Sequence, residues 1–83
     1  MVLLLMETVK NDTWVIDYID QYPNHVVEIY NRWGELLYRS TAYKNDWDGT
    51  YNGENLPVGT YYYVIELNDG KTKPFTGPLT VLR

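Results

Sequence analysis

The sequence predicts an all-β fold, a small antiparallel β-sandwich, Ig-like, with about six or seven short strands. Three observations carry that prediction. Apolar and polar residues alternate along residues 26–30 and 61–67, the period that buries one face of a strand and exposes the other. Turn-forming clusters at Pro23-Asn24, Gly34, Asn52-Gly53 and Asn68-Asp69-Gly70 punctuate the chain. Aromatics make up 16% of it, with nine tyrosines against one Phe, which suits half-buried strands that keep a phenolic oxygen near water.

Residues 13–17 read as a strand opening after the polar pair Asn11-Asp12. Residues 17–22 then lead to Pro23-Asn24, with room for one helical turn that tertiary contacts must support. In the next strand Val27 and Ile29 share one face, and Val26, Glu28 and Tyr30 the other. Gly34 suits the positive-φ position of a short hairpin loop, and Leu36-Leu37-Tyr38 returns as the partner strand. Between Arg39 and Gly59 the alternation gives way to Asn, Asp, Gly and Thr, so a long ordered loop is expected, turning at Trp47-Asp48-Gly49 and Asn52-Gly53. Pro57 and Gly59 deliver the chain into a long strand with Tyr61, Tyr63, Ile65 and Leu67 on one face and Tyr62, Val64 and Glu66 on the other. Asn68-Asp69-Gly70 is a hairpin turn, with residues 71–76 as its return. Pro78 cannot donate to a ladder, which places Gly77-Pro78 at a strand start or an edge. Residues 79–82 close the domain. The expected core is Val27, Ile29, Leu37, Tyr61, Tyr63, Ile65 and Val81.

Composition narrows the function. The 83 residues make one small domain without linker, repeat or low-complexity tract. There is no cysteine, hence no disulfide and no thiolate chemistry. A net charge of −4 disfavours nucleic acid, which needs a basic surface. No apolar run approaches the length of a membrane-spanning helix, so no membrane insertion is expected. Val2-Leu3-Leu4-Leu5-Met6 is apolar but too short for a signal-peptide core and lacks a basic stretch before it. If the domain works outside the cell, its export signal is expected either on a longer parent chain or to be missing from this sequence.

No constellation for catalysis emerges. His25 is the only histidine and Ser40 the only serine, with no nucleophile elbow around it, so His25 reads as a solvent-exposed strand-end residue. Asp46, Asp48 and Thr50 have alternate spacing that hints at a calcium loop. Trp47 intervenes, Gly49 comes too early and the flanks are not helical, so Asp46 and Asp48 are weak metal candidates beside a turn-capping role. Nothing forces two of Glu28, Glu35, Glu54 and Glu66 together as glycosidase carboxylates. Trp14, Trp33, Trp47 and the Tyr61-Tyr62-Tyr63 run could build a sugar-stacking platform or fill the core. A carbohydrate-binding module is therefore the second reading. Neither a cofactor nor a metal is expected.

Leu56-Pro57-Val58-Gly59-Thr60-Tyr61-Tyr62-Tyr63 follows Trp47-Asp48-Gly49, which follows Ile29-Tyr30-Asn31-Arg32-Trp33-Gly34, ahead of Leu79-Thr80-Val81-Leu82-Arg83. This ordered series resembles the gliding motility-associated C-terminal domain, the type B sorting domain of the bacterial type IX secretion system, from Asn11 to Arg83. The resemblance implies a non-catalytic C-terminal signal recognised by type IX machinery in the outer membrane. Its covalently linked N-terminal cargo would reach the cell surface or medium after periplasmic transit. The positions matching the family are Trp14, Arg32, Trp33, Gly34, Trp47, Asp48, Gly49, Pro57, Gly59 and Tyr61, most of them expected to preserve the fold.

Residues 1–10 depart from the family as an atypical lead-in, ahead of the sorting domain at 11–83. The family leads into its Asn-Asp pair with Thr-Pro-Asn-Gly-Asp-Gly. One reverse translation of residues 3–9, read one nucleotide earlier, restores Thr-Pro-Asp-Gly-Asp-Gly. A frame-shifted lead-in and a divergent or engineered one are the two readings. Either way the apolar run at residues 2–6 is expected to join its own domain as a strand or to pair with a second copy as an edge-to-edge homodimer.

Overall fold

The computed structural model describes residues 4–5 and 8–10 by their backbone and residues 13–82 in full. The strands are β1 (Leu4–Leu5), β2 (Thr8–Lys10), β3 (Ile16–Asp17), β4 (Val26–Tyr30), β5 (Leu36–Ser40), β6 (Thr50–Tyr51), β7 (Glu54–Asn55), β8 (Gly59–Glu66) and β9 (Phe75–Leu82). A single 3-10 turn at Ile19–Gln21 occupies the place where one helical turn was expected. The all-β, sandwich-like prediction is borne out, with short two-residue pairs added that are too brief to show a period.

The main sheet has the order β2-β9-β8-β4-β5. Its pairs are antiparallel except β2 with β9, which run parallel through Thr8↔Thr80, Val9↔Val81 and Lys10↔Leu82. Leu4–Leu5 pairs with Ile16–Asp17, so that part of the apolar run joins its own domain. Residues 1–3 and 6–7 lie outside the described residues. Alternation sets the faces as the sequence predicts: Val27, Ile29, Tyr61, Tyr63, Ile65, Leu79 and Val81 are buried on one side. Leu37 is an exception. It is half-buried because β5 is an edge strand, and it packs against the core from the rim.

The second layer is mostly loop, held by specific bonds. Trp14 N–H donates to the Trp47 carbonyl at 2.7 Å, and Ile16 N–H donates to Asn45 Oδ1 at 2.8 Å. The Tyr43 hydroxyl donates to the Trp14 carbonyl and accepts the Trp47 N–H. Burial pushes that hydroxyl far above the ordinary tyrosine range, so it remains protonated and keeps donating. The ring of Trp14 lies 5.9 Å from Tyr43 and 5.6 Å from Tyr63, tying the loop layer to the sheet.

Two expectations need correction. His25 is not solvent-exposed but buried at 5% exposure, where Nε2 accepts the Tyr43 N–H at 2.8 Å and Nδ1 lies 2.6 Å from the Tyr22 carbonyl. A backbone N–H can only donate, so Nε2 carries the lone pair and Nδ1 the proton. His25 is thus a neutral cross-brace between the 3-10 turn and the loop. The return after Asn68-Asp69-Gly70 begins at Phe75, not at residue 71. Asp69 accepts from Lys71 N–H, Thr72 N–H and the Thr72 hydroxyl, which keeps the chain turning until Phe75 meets Ile65. Those bonds hold the Asp69 carboxyl below its usual range, at about 2. Pro78 lies within β9 opposite Tyr62. β2 reaches only Thr80–Leu82, so among the described residues Pro78 sits on an open stretch of edge, as expected.

Candidate functional site

The positions singled out by sequence divide into two sets. Trp14 and Trp47 are buried, and the Trp47 indole N–H donates to the Thr50 carbonyl at 3.1 Å. Asp48 accepts the Thr50 hydroxyl at 2.7 Å, and the Gly49 carbonyl accepts the Leu56 N–H at 2.9 Å. These residues hold the loop layer in place.

Arg32, Trp33, Gly34, Pro57, Gly59 and Tyr61 instead gather at one pole, where the β4–β5 loop meets the turn that opens β8. The loop is built around Asn31, whose Oδ1 accepts both Trp33 N–H and Glu35 N–H at 2.9 Å. Gly34 closes it with φ +81° and donates its N–H to the Asn31 carbonyl at 3.1 Å, a backbone region costly for a side-chain-bearing residue. Opposite, the Tyr61 hydroxyl donates to the Pro57 carbonyl at 2.8 Å and fixes the turn that presents Val58. Trp33 is 71% exposed and Val58 59% exposed, with the Arg32 guanidinium 4.2 Å from the Trp33 ring centroid. Between them lies a cleft of about 230 Å³. The cleft thus presents an exposed Trp with a cation stacked on its ring, and an exposed Val, beside backbone that local hydrogen bonds hold in place.

The other candidates do not converge. Among the described residues no group of three or more His, Asp or Glu is placed to hold a metal ion, and Asp48 caps its own turn. Glu28 and Glu66 share the outer face of the adjacent strands β4 and β8, where Glu28 is paired with Arg39 at 3.6 Å, while Glu35 and Glu54 lie on separate elements. Trp14, Trp47 and Tyr63 are in the core. Tyr61 is buried although it lines the cleft beside Trp33, and Tyr62 is exposed on the opposite face of β8, so the named aromatics form no common stacking surface. No described helix is long and apolar enough to cross a membrane. Val58 escaped the sequence reading, although an apolar residue between Pro57 and Gly59 was its signal.

The family model described as the CHU_C type IX secretion signal domain matches residues 6–81. No curated protein and no solved structure matches. This chain belongs to the type IX secretion signal family. It is a C-terminal sorting signal that engages the secretion machinery and directs export of its parent protein to the cell surface or medium.

Proposed function

We propose that this domain works without catalysis, as a folded label whose Arg32–Trp33–Val58 pole is the surface the outer-membrane machinery reads. The observation that carries the proposal is the exposure of Trp33 on a loop that Asn31 holds rigid, beside a turn that Tyr61 fixes. A buried aromatic serves folding, whereas an exposed, pre-ordered one loses little entropy when a partner covers it. The cargo lies N-terminal to the label in a parent chain and crosses the periplasm before the label is read. The pairing of β2 with β9 uses main-chain groups, so it tolerates the atypical sequence of residues 8–10. For residues 1–10 as a whole, a frame-shifted lead-in and a divergent or engineered one are the two proposed origins. Because Leu4–Leu5 pairs with β3 of its own domain, a homodimer through residues 2–6 would have to use the other edge of that segment.

The experiment fuses the domain, with some upstream sequence, behind a reporter in a bacterium with a type IX system. Trp33→Ala should leave the fold within about 0.5 kcal/mol of wild type, because the side chain is largely in water. Secretion should nonetheless fall, with the reporter held in the periplasm. Normal export of a folded Trp33→Ala, Arg32→Ala variant would refute the pole as the reading surface. Failure of the wild-type fusion would refute the sorting role in that host.

A further inference from the structure

A second surface lies away from the pole. β5 is the outermost strand of the main sheet and pairs with β4 alone. Among the described residues no other strand and no loop backbone bond reaches its outer side. Backbone groups alternate in direction along a strand, so a row of N–H and C=O groups in Leu36–Ser40 points away from β4. Proteins usually guard such an edge with proline, lysine or a covering segment. This strand has neither proline nor lysine, and its one cation, Arg39, leans toward Glu28. Its one guard is a bulge at Leu37, beyond which Tyr38–Ser40 continues the ladder with β4.

Alongside the edge, a groove of about 280 Å³ opens between β5 and the β6–β7 hairpin. Leu37, Tyr38, Trp47 and Tyr51 supply its apolar wall, and Asp46 and Asp48 its rim. Both aspartates are exposed, and Leu36, at the strand's start, is 44% exposed. The combination is directional. Unpaired main-chain groups select an extended chain, the apolar wall selects apolar side chains on alternate residues, and the carboxylates select cationic flanks.

We propose that the free edge of β5 accepts an extended strand from a partner protein, with alternate apolar residues in the Leu37–Tyr38–Tyr51 groove and basic residues against Asp46 and Asp48. This goes beyond the sorting role and does not rest on which surface the machinery reads. The partner adds a sixth strand to the main sheet, whose present five are β2, β9, β8, β4 and β5. Its sequence is constrained only at every second position, as in other strand-addition complexes.

The test is made on the folded domain with a synthetic probe, the peptide Lys-Val-Thr-Val-Thr-Val-Lys, read by amide nuclear magnetic resonance and hydrogen exchange. The expected result is shifts and slowed exchange at Leu36–Ser40 and the groove rim. Two versions of the peptide, N-methylated on opposite sets of alternate residues, should separate: one loses binding and the other keeps it. Replacing both lysines by glutamate should weaken binding about tenfold or more. Shifts centred on Trp33 and Val58, equal binding by both methylated peptides, or no shift at about 1 mM peptide would overturn the proposal. So would self-association through β5 in the absence of peptide, because the occupant would then be a second copy.

Discussion

Gly77→Ala should destabilise this domain, although at most exposed strand positions the same change is harmless or helpful. Gly77 lies opposite Tyr63 in the β8–β9 ladder, on the inward face shared with Leu79 and Val81. A Cβ there would stand 2.8 Å from the Tyr63 hydroxyl oxygen, 3.0 Å from Cζ and 3.1 Å from Cε2. Tyr63 has little room to give way. It is 8% exposed, and on its other side lies the fully buried Trp14 ring, whose backbone is pinned to Trp47 and Tyr43. Overpacking of this kind costs about 1–3 kcal/mol, against about 0.4–1 kcal/mol gained from a stiffer unfolded chain. The net loss should be about 1–2 kcal/mol, which for a domain of this size lowers the thermal midpoint by roughly 4–8 °C per kcal/mol. Urea unfolding followed by tryptophan fluorescence measures it, with the slope unchanged. Tyr63→Leu removes the ring atoms that the new Cβ would meet, so adding Gly77→Ala to that variant should cost much less than adding it to wild type. If Gly77→Ala alone matches or exceeds wild-type stability, Tyr63 has space to yield and the packing account is wrong.

His25→Ala leaves the Tyr43 N–H without its acceptor and should cost about 1–3 kcal/mol in urea unfolding, with faster exchange of the Tyr43 amide. The Tyr22 carbonyl keeps the His25 backbone N–H, so it is not orphaned. Asp69 has its carboxyl held at about 2 by Thr72 and Lys71, below its unfolded value near about 4. Its contribution is therefore present above the unfolded pKa and lost as pH falls toward about 2, and Asp69→Asn should flatten that part of the pH–stability curve. An Asp69 carboxyl that titrates at the ordinary value by carbon-detected resonance would contradict this. Restoring Thr-Pro-Asp-Gly-Asp-Gly directly ahead of Lys10, in place of residues 4–9, should raise solubility by exchanging an apolar run for turn residues and charge. A gene whose nucleotides exclude that frame would end the frame-shift reading.

The parts of this fold legible in the sequence were those with a repeating signal. Residues 26–30 and 61–67 alternate cleanly because β4 and β8 are central strands with one buried face, and the structure keeps every inward residue the alternation assigns. His25 was misassigned because a single residue has no period, and its partner Tyr43 lies 18 positions away in a loop without pattern. The late start of β9 was hidden for a related reason: Asp69 bonds to residues on its own turn, which no hydrophobic pattern records. For the candidate site, the sequence supplied its parts but not their exposure. Trp14, Trp33 and Trp47 look alike as letters, and only the Asn31 loop geometry decides that Trp33 points outward while the other two fill the core.

The parallel join of β2 to β9 has a mechanical consequence. A cargo attached upstream would pull on this domain through β1, whose two-residue pairing with β3 gives way first, and then through β2. The β9 strand runs in the same direction as β2. Tension between the upstream chain and a grip beyond Leu82 therefore draws the two strands past each other along their length. The bonds across Thr8↔Thr80, Val9↔Val81 and Lys10↔Leu82 are strained together rather than peeled one at a time. An antiparallel hairpin loaded at its open end would unzip pair by pair under a much smaller force. β2 is thus attached as a lap joint, so a cargo tugging during passage would load that join in shear, the direction in which a few main-chain bonds hold best.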